Sequence, residues 1–172
     1  MSSEIEDAIR TIPDFPKPGI QFKDITPVLA DARLLAGSID LLADNFKPGT
    51  IDAVVGIDAR GFIFAAAAAV KLHAGFVPIR KKGKLPFKTH EQEYELEYGT
   101  ASVAVHTDAL KPGSRVLLID DLLATGGTAA AAAALVQRLG GRILEMSFLI
   151  ELSFLGGREK LKGYPVRSVV VY

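Results

Sequence analysis

Asp120 and Asp121 stand side by side between the apolar run Val116-Leu117-Leu118-Ile119 and the small, hydroxylated run Ala124-Thr125-Gly126-Gly127-Thr128. Glycines let the backbone approach a ligand closely, and hydroxyls and successive amides donate hydrogen bonds. A helix beginning there favours negative charge, so residues 124–128 can wrap a phosphate. The two acids would repel a polyphosphate at that point but can accept hydrogen bonds from sugar hydroxyls. The pattern therefore asks for a ribose carrying a phosphate on its 5-position. No lysine follows the glycines as a P-loop requires, and the G-x-G-x-x-G spacing of a dinucleotide fold is absent. The plainer alternative is a strand-turn-helix whose acids only cap and solvate the turn.

Two other segments carry charge where chemistry could use it. In Asp58-Ala59-Arg60-Gly61, amides at a strand-to-helix turn can bind an anion and Arg60 adds a forked donor. The alternative is that Arg60 pairs with a surface acid. Arg80, Lys81, Lys82 and Lys84 crowd one short stretch, either as a solvated face or as cations for an anionic group. Glu91, Glu93, Glu95 and Glu97 alternate, which suits an outward acidic stripe as well as a proton-transfer role for Glu97. His73, His90 and His106 lack ligand spacing, and the absence of cysteine excludes disulfide and thiolate chemistry.

The elements that must position these residues follow from pattern. Residues 1–12 carry Ile5, Ala8, Ile9 and Ile12 at helical spacing with Ser3 as a cap, predicting a first helix. Residues 14–27 hold Pro16, Pro18, Gly19 and Pro27 and read as an irregular lobe. Residues 32–46 form an amphipathic helix capped by Asp31. A strand at 53–57 and an alanine-rich helix to about His73 follow, then a strand at 76–79. Residues 80–93 are charged and aperiodic and read as a mobile loop, flanked by a hairpin of 94–96 with 101–105. Strand 116–119 leads to helix 129–139, strand 142–150, a short helix at 157–162 and strand 166–172.

Alternating strands and helices predict an α/β fold, a doubly wound, mainly parallel sheet in which ligands bind outside the carboxyl ends of the strands. Residues 58–61, 80–84 and 124–128 all follow strand ends, which argues for one shared site. The 172 residues fit a single domain, and 49% hydrophobic with 23% charged residues describes an ordinary globular chain. Twenty basic and twenty acidic residues cancel, so charge favours neither nucleic acid nor a membrane surface. The longest apolar stretch is too short to span a bilayer and the acidic N-terminus does not suit a signal peptide, so a cytoplasmic protein is expected.

The run I-D-D-L-L-A-T-G-G-T closely resembles the phosphoribosyl-pyrophosphate (PRPP) motif of type I phosphoribosyltransferases, in the version carried by the adenine-specific branch of that family. Five further segments are similar to the same branch. Ile57-Asp58-Ala59-Arg60-Gly61-Phe62 resembles its pyrophosphate loop, which has a cis peptide where Asp58-Ala59 stands. Arg80-Lys81-Lys82-Gly83-Lys84-Leu85-Pro86 resembles the segment that reaches the PRPP pyrophosphate, although Phe87 replaces a commonly small residue. Leu96-Glu97-Tyr98-Gly99-Thr100, Gly157-Arg158-Glu159-Lys160-Leu161 and the run from Phe15 to Pro27 complete the set. The last matches the family's purine hood.

The resemblance implies the type I phosphoribosyltransferase fold over residues 1–172, with an N-terminal helix and hood to about residue 30 and a flexible catalytic loop at about 80–96. It implies transfer of the 5-phosphoribosyl group of PRPP to N9 of adenine, giving AMP and diphosphate in purine salvage. Ala124, Thr125, Gly126, Gly127 and Thr128 would hold the 5-phosphate, and Asp120 and Asp121 the ribose. Asp58, Ala59, Arg60, Arg80, Lys81 and Lys84 would hold the pyrophosphate. Backbone groups of Gln21 to Lys23 would read adenine, with Phe22 lining the pocket. Glu97 and Arg60 would serve catalysis. Mg²⁺ is expected, held through PRPP and water without protein metal ligands, and so is a homodimer. A 6-oxopurine as the acceptor, or a PRPP-sensing regulator without chemistry, are the competing readings.

Overall fold

The computed structural model describes residues 1–96 and 99–172. At its centre lies β3 (Ala53–Ile57), whose five residues are all buried. A strand covered on both faces has no room for polar alternation, which is why it reads Ala-Val-Val-Gly-Ile. β4 (Gly75–Lys81) pairs with it in parallel on one side and β7 (Arg115–Leu123) on the other. β8 (Arg142–Glu151) and β9 (Val166–Val171) extend the parallel sheet beyond β7. At the opposite edge β6 (Thr100–His106) and β5 (Thr89–Glu95) run antiparallel. The seven strands lie in the order β5-β6-β4-β3-β7-β8-β9.

Helices cover both faces. Along β7, Val116 and Leu118 point to one face and Leu117 and Ile119 to the other, as period-two geometry requires. The first pair packs with α5 (Gly127–Arg138), whose alanines let it lie close to the sheet. The second packs with α1 (Ser2–Ala8), α3 (Ala32–Ala43) and α4 (Gly61–Leu72). Asp31 caps α3 as predicted, its Oδ1 accepting from the Arg33 and Leu34 amides at 2.9 Å each. From β3 the chain winds through α4 to β4 on one side; from β7 it winds through α5 to β8 on the other. The β3/β7 boundary is therefore the topological switch point, where ligands of such sheets bind.

The structure corrects the sequence reading in three places. The first helix stops at Ala8, and Ile12 lies in β1 (Arg10–Pro13), paired antiparallel with β2 (Gln21–Asp24). Isoleucine spacing alone cannot tell helix from strand here; Pro13 and the Arg10 ion pair to Asp24 at 2.6 Å favour the hairpin. Ser3 makes no cap, being already inside α1. A short α2 (Thr26–Ala30) follows, and its entry holds Asp24 at a pKa of about 2, first through the Thr26 amide and then through Arg10.

Second, β7 runs on through Asp120 and Asp121 to Leu123, because Phe148, Ile150 and Glu151 of β8 continue the ladder beside it. Two carboxylates hide a strand from any reading based on apolar runs. Third, half of the expected loop is strand: β4 runs on to Lys81 and β5 spans Thr89–Glu95, leaving residues 82–88 between them. An edge strand with one neighbour has little apolar demand, so its charged sequence gave no strand signal.

Candidate active site

The carboxyl ends of β3, β4 and β7 open on a cavity of about 320 Å³. Asp58, Ala59, Arg60, Arg80 and Lys81 line it on one side, and Asp120, Asp121 and residues 124–128 on the other. The three strand-end segments therefore do converge.

Of the two acids, Asp121 is buried and Asp120 half-buried. Asp121 is 7% exposed, and its Oδ2 meets Arg60 Nε at 2.7 Å. Asp120 Oδ1 accepts from the Asp121 amide at 2.9 Å. Burial pushes Asp120 well above the ordinary carboxylate range, and the neighbouring charge of Asp121 pushes it further. Burial also raises Asp121, with Arg60 working against it. Two carboxyls thus share one cation in a dry place, so donors on a ligand would be strongly favoured there. Arg60 is not on a surface acid: it serves this pair.

Gly61 explains how the helix start comes so near. A Cβ on it would lie 2.4 Å from Asp120 Oδ1 and 3.2 Å from Asp120 Cα. Only glycine admits that approach. The sequence shows the glycine but not its tertiary neighbour, so this role was missed.

Residues 124–128 turn from β7 into α5, with Gly126 at φ +80°. That left-handed value suits glycine, and it brings the loop amides round to the N-terminus of α5. The Tyr94 ring from β5 lies over this turn, 3.2 Å from where a Cβ of Gly127 would be, and lines the cavity. Tyr94 was not among the sequence candidates, since nothing in its local sequence marks it out from other strand aromatics.

On the opposite wall the Asp58-Ala59 peptide is cis, as the resemblance implied. Asp58 Oδ2 accepts from Arg80 Nε at 2.9 Å, while Arg80 Nη1 donates to the Lys84 carbonyl at 3.2 Å. Lys81 lines the cavity; Lys84 is not part of its lining and meets this wall only through the carbonyl that accepts from Arg80. Lys82 pairs outward with Glu91 at 2.8 Å. Antiparallel pairing of Arg80 with Ala104 and Lys81 with Val103 fixes both cations at the end of β4.

The hood approaches the cavity wall at Phe22. The Arg60 guanidinium lies 5.3 Å from the Phe22 ring centroid, and Phe22 packs edge-on against Phe15 at 5.1 Å. Gln21 is exposed at the start of β2. Lys23 turns away, its Nζ 3.5 Å above the Tyr172 ring and 3.0 Å from Thr11 Oγ1. Glu97 lies outside the described residues. Among the described residues no cluster of three or more His, Asp or Glu side chains could hold a metal ion, and no helix is long and apolar enough to cross a membrane.

Comparison with known proteins agrees with this geometry. A family model described as the phosphoribosyl transferase domain matches residues 21–167. An adenine phosphoribosyltransferase of Acidothermus cellulolyticus is 58% identical over 94% of this chain and 92% of its own. The crystal structure of adenine phosphoribosyltransferase from Thermoanaerobacter pseudethanolicus is 52% identical and superposes with a TM-score of 0.96, covering all of both chains. That from Saccharomyces cerevisiae, complexed with D-2,5-dideoxy-2,5-imino-altritol 1,6-bisphosphate and adenine, is 41% identical with a TM-score of 0.92 over 98% of this chain and 97% of its own.

Proposed function

Because the chain belongs to the phosphoribosyl transferase family, we propose that it acts as an adenine phosphoribosyltransferase, joining adenine to the 5-phosphoribosyl group of PRPP with loss of diphosphate. The observation that carries this reading is the shared cation: Arg60 bonds the buried Asp121 at 2.7 Å while facing the same cavity as the 124–128 turn. A phosphate cradle, a pair of hydroxyl acceptors and a cationic wall around one cavity would serve the phosphate, ribose and diphosphate of PRPP.

The 5-phosphate binds the amides and hydroxyls of residues 124–128 at the start of α5. Asp120 and Asp121 accept from the ribose hydroxyls and favour positive charge as the bond to diphosphate breaks. Arg60, Arg80 and Lys81 face the departing diphosphate, with Lys84 on the connection beyond β4. Backbone groups of residues 21–23 read the 6-amino group and N1 of adenine, and Phe22 supplies apolar lining. Glu97 takes part in proton transfer near N7. Residues 82–95 exclude water, which would otherwise hydrolyse PRPP.

Magnesium suits this site as an ion carried by the substrate. Asp121 is engaged by Arg60 and Asp58 by Arg80, so the ion would be held mainly through PRPP oxygens and water. When bound, it adds neutralising charge on the diphosphate. The protein works as a homodimer in the cytoplasm, without nucleic acid or membrane partners. Asp121→Asn tests the reading. It should raise KM for PRPP about tenfold or more and leave KM for adenine within about twofold. An equal rise in both would remove Asp121 from the ribose site.

A further inference from the structure

Residues 157–161 take no part in the chemistry above, yet they press directly on the phosphate turn. A Cβ on Gly126 would lie 2.3 Å from the Gly157 carbonyl oxygen, and a Cβ on Gly157 would lie 2.3 Å from that of Ala124. Gly157 would also place its Cβ 3.1 Å from the Gly126 amide nitrogen. Two stretches of backbone are therefore in contact with no side chain between them. The conformation of the turn depends on where Gly157 is held.

Gly157 is held from behind by an ion pair. Arg158 donates from Nε and Nη2 to the two carboxylate oxygens of Glu151, each at 2.7 Å, and from Nη1 to the Val166 carbonyl at 2.9 Å. Ser168 Oγ donates to Glu151 Oε2 at 2.6 Å. Glu151 is 5% exposed and ends β8 opposite Leu123, the residue from which the phosphate turn departs. Leu161, at the far end of the segment, is 1% exposed in the core beneath α5. The segment is thus pinned at two points that follow its contact with the turn.

We infer that Glu151 and Arg158 are positioning residues for the 5-phosphate turn. Their two-pronged pair holds Gly157 against Ala124 and Gly126, and so fixes the amides of residues 124–128 before ligand arrives. Neither side chain touches substrate. This assignment rests on the proposed use of that turn for the 5-phosphate.

Calorimetric titration with ribose 5-phosphate and, separately, with magnesium diphosphate tests it in the full-length protein. Arg158→Met and Glu151→Gln should weaken ribose 5-phosphate about tenfold and leave diphosphate within about twofold, because only the turn has lost its support. KM for PRPP should rise with KM for adenine unchanged. Arg158→Lys keeps the charge but loses the fork, and should give a selective loss of about threefold even if the other variants fail to fold. Equal losses for both ligands, or unchanged ribose 5-phosphate affinity in Arg158→Lys, would overturn the assignment. Wild-type protein that binds diphosphate but no ribose 5-phosphate would instead sink the reading on which it rests.

Discussion

At the scale of single residues, the proposed site sets Asp120 in conflict with its surroundings. A carboxylate whose folded pKa is raised destabilises the fold at every pH above that raised value. The penalty falls away as pH drops through it and is absent below the ordinary carboxylate range. Asp120→Asn keeps the oxygen that accepts from the Asp121 amide and removes the buried charge. Ligand-free Asp120→Asn should therefore melt roughly 2–4 °C higher than wild type at neutral pH, a shift of about 1 kcal/mol in a domain of this size. Scanning calorimetry should find the gain shrinking on acidification, and PRPP turnover should fall. A lower melting temperature would mean that Asp120 is stabilising where it stands. Glu97→Gln should lower kcat with little change in KM for adenine; unchanged kcat would take Glu97 out of the chemistry. The types and order of Asp120, Asp121 and residues 124–128 were legible in the sequence because they are local. That Arg60 serves Asp121, and that Tyr94 covers Gly127, was not. Those partners are set by β3 lying beside β7 and by the packing of edge strand β5 against α5.

At the scale of elements, the site depends on how closely α4 and β7 approach. Gly61→Ala would drive a methyl group into Asp120, against both its carboxylate and its Cα. The helix itself would tolerate alanine, which is the better helix former. We expect a stability loss of about 1–3 kcal/mol with kcat/KM for PRPP reduced about tenfold or more, read by steady-state kinetics beside thermal melts. Normal kinetics in a folded Gly61→Ala protein would show that the approach has no bearing on the site. Elements with strong periodicity were readable: β3 agrees residue for residue with its apolar run, and Asp31 caps α3 as its position suggested. The failures share a cause. β1, β5 and the end of β7 are strands because of what pairs with them, and none carries an apolar alternation of its own.

At the scale of the molecule, the sheet order decides where function can sit. Strand direction of winding reverses between β3 and β7, so the loops after these two strands diverge to opposite faces and leave a crevice between them. The neutral charge balance and the doubly wound class were visible in composition and alternation. The two-stranded hood was not, since Phe22 reaches Arg60 only after β1 and β2 have paired. On the proposed reading, the hood is also where the choice of base is made. A 6-oxopurine needs a donor opposite its O6, whereas adenine needs an acceptor for its 6-amino group, which backbone at residues 21–23 can offer. Turnover of PRPP with Mg²⁺ and a panel of adenine, hypoxanthine, guanine and xanthine tests the whole account most directly. The prediction is AMP and diphosphate from adenine, with kcat/KM at least about a hundredfold above any other base. Turnover of hypoxanthine with none of adenine, or binding of PRPP with no turnover of any base, would contradict it.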